Sequence, residues 1–151
     1  MGIICDYMES DHKRCDALFE QLETSLDKQQ WEQAALELSS FKQALERHFA
    51  MEENVLFVAF EQAAGNSAGP TAVMRLEHQH MRSILSRLID AVGARDMNDF
   101  FGHADTLRIM MQQHNLKEES ILYLMTDRFL AGRQGAIIEA MQAVDLIAAI
   151  E

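Results

Sequence analysis

HFAMEENVLF, residues 48–57, and HNLKEESILY, residues 114–123, each open with a histidine and place a glutamate four positions on, His48 with Glu52 and His114 with Glu118. Residues four apart are neighbours on one face of an α-helix. Each string therefore offers one imidazole and one carboxylate to a single point. A lone string of this kind is commonly a surface ion pair. Two of them in one chain, each inside a long apolar-periodic segment, call for a shared explanation.

The segments around them read as helices. Ile4, Met8, Cys15, Leu18, Phe19, Leu22 and Leu26 recur at helical spacing and predict a first helix over about Ile3 to Lys28. Trp31, Leu38, Phe41, Leu45, Phe49, Leu56 and Phe60 predict a second from about Gln30 to Ala64. Gly65-Asn66-Ser67-Ala68-Gly69-Pro70 breaks the pattern, with glycine after one helix and proline opening the next. A third helix is expected over Pro70 to Val92. A fourth runs from Met97 to Leu130 after Gly93-Ala94-Arg95-Asp96, and an amphipathic tail helix from Ala136 to Ile150. No strand pattern and no repeat of fixed period is visible. Short connections between long helices predict an all-α, up-down-up-down four-helix bundle with a short C-terminal tail helix, residues 1–151 forming one domain.

One histidine falls in the middle of each long helix: His12, His48, His78 and His114. With these at one level of an alternating bundle, Glu52 and Glu118 share the next level, where the first and third helices supply Met8 and Met74. Two carboxylates buried together repel and tend to hold a proton. A pair of cations removes that repulsion, and imidazole with carboxylate suits iron, and also manganese or zinc. His80 lies on the opposite side of its helix from His78 and reads as a surface residue; His103 reads as a bundle-end residue. Glu53 and Glu119 read as supporting or surface groups rather than ligands. Tyr123, four residues past Glu119, is placed to donate to it. Asp16 and Arg82 share a level above the histidines and are expected to pair there.

The composition narrows the partners. Lys and Arg total 13 against 24 Asp and Glu, a formal charge of −11, with no basic cluster for nucleic acid. No apolar run approaches the roughly 18 residues that span a bilayer. The N-terminal residues do not have the charge pattern of a secretory leader, which points to the cytoplasm. Cys5 and Cys15 lie too far apart on one helix to bridge. They read as two reduced thiols, with redox sensing near His12 as the sharper alternative.

Taken with Asp11-His12-Lys13-Arg14 and Glu77-His78-Gln79-His80-Met81-Arg82, the two opening strings make the chain resemble the hemerythrin-like HHE cation-binding family over roughly residues 10 to 130. The resemblance implies two iron ions in an oxo- or hydroxo-bridged centre. Glu52 and Glu118 would bridge them, with His12, His48, His78 and His114 as terminal ligands. Arg82 stands where the family's oxygen carriers have a further histidine, so each iron would keep an open position. That favours reactivity, sensing or iron handling over reversible storage. Val58 and Leu124 replace prolines frequent in the family, so the second and fourth helices are expected to run on unkinked. The implied function is a non-haem di-iron protein that binds, senses or reacts with dioxygen or another small diatomic ligand, without a dedicated organic substrate. The alternatives are peroxide or nitric oxide chemistry, iron donation in iron–sulfur cluster repair, or a metal-free helical dimerisation module. Room is left for a homodimer.

Overall fold

The computed structural model describes residues 2–65 and 69–144. Helix α1 spans Ile3–Asp27 and α2 Trp31–Met51. The second helix continues without a break through a wider π-helical turn, π1, Glu52–Leu56, into α3, Phe57–Ala64. Helices α4, Pro70–Ala94, and α5, Met97–Lys117, follow. A second wide turn, π2, Glu118–Leu122, leads into α6, Tyr123–Phe129, and α7 spans Gln134–Gln142. The described residues contain no strand, and no helix among them is long and apolar enough to cross a membrane. The expected tail helix starts two residues earlier than predicted, and its residues 145–150 lie outside the described residues.

Packing follows the apolar stripes. Helix α1 lies along α2, and α4 along α5; α2 touches α4, and α1 touches α6. One large apolar cluster, including Phe19, Phe41, Leu88, Phe100 and Leu107, fills the end near the short turns. Two smaller ones fill the other end: Ile4, Met8, Met51 and Met141 in one, Phe57, Phe60, Met74 and Leu122 in the other. The predicted ligand residues form a polar layer between them.

The two turns joining α1 to α2 and α4 to α5 close in the same way. Gln29 and Arg95 both adopt the left-handed conformation, at φ 56° and 52°. Gln30 N–H donates to Ser25 O, and Asp96 N–H donates to Ala91 O, each at 2.9 Å. These bonds satisfy carbonyls that a helix end leaves free. Far from these turns, the Ile4 and Cys5 N–H groups donate to the Asp127 carboxylate at 2.9 and 3.0 Å, which anchors the start of α1 on α6. A Cβ on Gly2 would run into that carboxylate, so a larger residue there would have to displace the Asp127 side chain.

The likeness of the two turns extends through the chain, and corrects the expectation that no repeat exists. His12 and His78, His48 and His114, and Glu52 and Glu118 are each 66 residues apart. So are the two left-handed residues and the two π-turns. The buried apolar positions keep the same spacing, as Met8 with Met74, Leu22 with Leu88 and Leu56 with Leu122 do, although the residue type changes at several, such as Cys15 with Met81 and Phe41 with Leu107.

Candidate metal centre

His12, His48, Glu52, His78, His114 and Glu118 are all at most 4% exposed and converge in the polar layer. Burying so many ionisable groups costs several kcal/mol apiece unless each is paired. The structure pairs the outer edge of every imidazole with a carboxylate at 2.7 Å. His48 Nδ1 meets Asp11 and His114 Nδ1 meets Glu77, both within one hairpin. His12 Nδ1 meets Glu119 and His78 Nδ1 meets Glu53, both across the two hairpins. The second nitrogen, Nε2, of all four rings is thereby turned inward. Carboxylates in this position fix ring orientation and tautomer in metal sites.

Glu53 and Glu119 therefore support the histidines, one of the two roles the sequence left open to them. Asp11 and Glu77 do the same work, and the sequence reading had given them no role. The readable signal was the acid immediately before His12 and before His78. His80 is exposed, and the half-buried His103 pairs with Asp99 at 3.4 Å, so neither approaches the cluster.

Inward, the nitrogens face two carboxylates. His12 Nε2 lies 3.0 Å from Glu118 Oε1, and His78 Nε2 lies 3.0 Å from Glu52 Oε1. His48 and His114 lie 3.6 and 3.2 Å from the glutamate one turn on in their own helix. Glu52, His78, His114 and Glu118 form one group close enough to hold an ion, and His12, His48 and Glu118 form another. Glu52 Oε1, His78 Nε2, His114 Nε2 and Glu118 Oε2 are buried without a hydrogen-bond partner. Two of their separations, 3.0 and 3.2 Å, are ion-pair distances, yet none of the four atoms makes a hydrogen bond. Buried polar groups are rarely left so. Four converging at one point is the donor set of a cation site.

The π-turns put Tyr123 into this layer. Phe57 N–H donates to Glu52 O and Tyr123 N–H to Glu118 O, five residues back in each case. Such bonds bring residues five apart onto one face, and π-turns are frequent at functional sites. The expected partner of Tyr123, Glu119, presumed α-helical spacing. Instead the phenol sits against Glu118 at 2.9 Å and Glu52 at 2.8 Å, its one proton available to either. It also lies 3.1 Å from His12 Nε2 and 3.5 Å from His48 Nε2. The helices do run on past Val58 and Leu124 as expected, but through a widened turn.

Arg82 does not pair with Asp16. Its guanidinium grips Glu53 through two bonds of 3.0 and 3.1 Å and reaches Glu46 at 3.0 Å, while it lies over the Phe49 ring. Asp16 is exposed on α1, beside a cavity of about 250 Å³ bordered by Glu23, Arg108 and Met111. The two charges face different neighbours because α2 touches α4, and α2 with π1 carries the acids, Glu46 and Glu53, that Arg82 finds first.

Electrostatics follow from burial. For His12 and His114, burial opposes the charged form. The carboxylates around them, Glu118 first, outweigh it and raise both to about 9. Burial and then Glu118 push Glu52 upward. Glu118 itself is held well below the usual carboxylate range, against burial, by Glu52 and the histidines. Burial and the two carboxylates hold the Tyr123 phenol far above its ordinary value, so it stays neutral. Glu53 is lowered to about 2, burial being outweighed by His78 and Arg82. Burial raises Cys15 to about 12 and also raises Cys5. Both thiols are free, buried and protonated, which leaves little thiolate for redox sensing.

A family model described as the hemerythrin HHE cation binding domain matches residues 4–126. No curated protein and no solved structure shows a significant match.

Proposed function

The chain belongs to the hemerythrin HHE cation-binding domain family, and from that premise we propose that it is a non-haem di-iron protein that binds, senses or reacts with dioxygen. His12 and His48 would hold one iron and His78 and His114 the other, with Glu52 and Glu118 shared between them. Bound there, a pair of irons supplies reversible or reactive one- and two-electron chemistry toward small diatomic ligands. The chain's own part is to hold the nitrogens inward, through Asp11, Glu53, Glu77 and Glu119, and to surround the layer with apolar side chains. Met8, Met51 and Met74 are buried at the end beyond the glutamates. The observation that carries the reading is the set of four buried polar atoms that lack partners and point at one another.

In this reading the whole chain is one domain, its four long helices running up, down, up and down with α7 packed at one end. It acts in the cytoplasm, whose reducing conditions suit two free thiols, as a single chain or a homodimer. No dedicated organic substrate is assigned.

Anaerobic reconstitution with ferrous iron, followed by a metal count, tests it. About two irons per chain, an oxygen-dependent change in the near-ultraviolet and visible spectrum, and loss of both in His48→Ala and Glu118→Ala are expected. One zinc per chain, or no retained metal, would overturn the reading.

A further inference from the structure

The two halves of the layer carry matching ligands but differ in what occupies the space between them. On one side, Glu52 Oε1, His78 Nε2, His114 Nε2 and Glu118 Oε2 have no hydrogen-bond partner. On the other, His12 Nε2, His48 Nε2, Glu118 Oε1 and Glu52 Oε2 surround the Tyr123 hydroxyl at 2.8 to 3.5 Å. The residue matching Tyr123 in the first half is Phe57, which has no oxygen to offer and stacks on His78 at 5.9 Å.

We propose that the two positions are unequal: an ion binds first at His78 and His114, and a second binds at His12 and His48 only when the Tyr123 phenol gives way. The proposal rests on the di-metal reading and adds an order of filling to it. Nitrogen and oxygen ligands bind metals such as zinc at about 2.0–2.2 Å. An ion placed among the four atoms around the Tyr123 oxygen would need the space that oxygen occupies. At the other position no hydroxyl of the described residues is bonded among the four buried polar atoms, and all four would gain a partner.

The supports of the two halves differ in the same sense. His78 is braced by Glu53, which Arg82 holds with two bonds. His12 is braced by Glu119, which is 31% exposed, and the residue matching Arg82 is Asp16. Cavities border both halves, one beside Asp16 between α1 and α5 and one of about 160 Å³ beside His114 and Glu77 between α4 and α5, so the difference lies in the hold on the supporting glutamate. The weaker position is therefore also the one whose supporting glutamate is less firmly held, which suits an ion that exchanges.

Calorimetric titration of the chelator-treated protein with zinc(II) tests this. Wild type is expected to bind one equivalent tightly and a second at least about tenfold more weakly, a gap of about 1.4 kcal/mol. His12→Ala should keep the tight step and His78→Ala should lose it. Tyr123→Phe copies Phe57 and should bring the second step to within about threefold of the first. Two equal steps in wild type would overturn the proposal without any variant. Loss of the second equivalent in Tyr123→Phe, with helix content intact by circular dichroism, would overturn it by making the phenol a ligand. Zinc bound in two unequal steps, with no oxygen-dependent spectrum after iron loading, would leave the filling order standing and sink the di-iron oxygen reading. No zinc bound by any form would sink both.

Discussion

The hairpin of α1 and α2 and the hairpin of α4 and α5 place the same kinds of side chain at the same steps, yet build different surroundings. Each presents an acid before a histidine, then a histidine and two glutamates where its second helix widens into a π-turn. Phe57 in the first is matched by Tyr123 in the second, and Asp16 by Arg82. The first pair decides whether an oxygen stands among the proposed ligands. The second decides whether the supporting glutamate is gripped or half exposed. A repeated motif thus fixes which atoms converge, while a few residues outside it set how each half of the cluster behaves.

Removing the group common to both halves should have the largest effect. Glu118 belongs to both candidate ion groups. Glu118→Ala is expected to reduce bound metal to near zero by elemental analysis, and more than half the metal kept in this variant would argue against a shared ligand.

The next effect should fall on one half alone. Arg82→Met frees Glu53 and is expected to weaken the tighter ion by about 10- to 100-fold, as loss of a supporting contact commonly does. Asp16→Ala, at the matching place, should change either affinity by less than about threefold. Competition with a chromophoric chelator measures both. Equal losses would erase the distinction between the halves.

A smaller effect, common to both halves, follows from His12 and His114. Their pKa values near 9 mean that the metal-free chain carries bound protons there at neutral pH. Metal needs the neutral ring, so binding releases protons and affinity should rise with pH until about 9. For the metal-free chain the sign is opposite. Because folding raises these values, their stabilisation is complete below the unfolded value of about 6.5 and is lost as pH rises through about 9. Urea unfolding of the chelated protein should show lower stability at pH 10 than at pH 6, and the reverse trend would rule out charged histidines.

The smallest effect should come from the ends of the hairpins. Asp127 accepts two N–H groups from the start of α1, whereas Glu61, its match, binds Thr71 and Arg75 on α4. Asp127→Ala should cost about 1–2 kcal/mol in urea unfolding, as loss of a helix cap does. Metal stoichiometry should stay unchanged.

Much of this was legible in the residues alone. The long helices, their breaks and the histidine in each follow from spacing of three, four and seven. The HxxxE strings also put Glu52 and Glu118 beside the histidines, and all six proposed ligands are buried together. The partners of Arg82 and Tyr123 were misread for identifiable reasons. Arg82 is long enough to choose among acids on a neighbouring helix, and only packing decides which are near. Tyr123 was assigned by α-helical spacing, and the π-turn shifts its face by one residue.

Local composition, then, was enough to settle helix class, the breaks between the long helices and the identity of the inward-facing groups, because periodicity and i,i+4 geometry act over a few residues. Tertiary structure alone decided which carboxylate supports which histidine, that π-turns bring Tyr123 among the proposed ligands, and that Arg82 grips the glutamate behind His78 while Asp16 leaves the one behind His12 without such a hold. Each of these depends on how helices distant in sequence lie against one another, and the shape of that packing is carried by no short stretch of the chain.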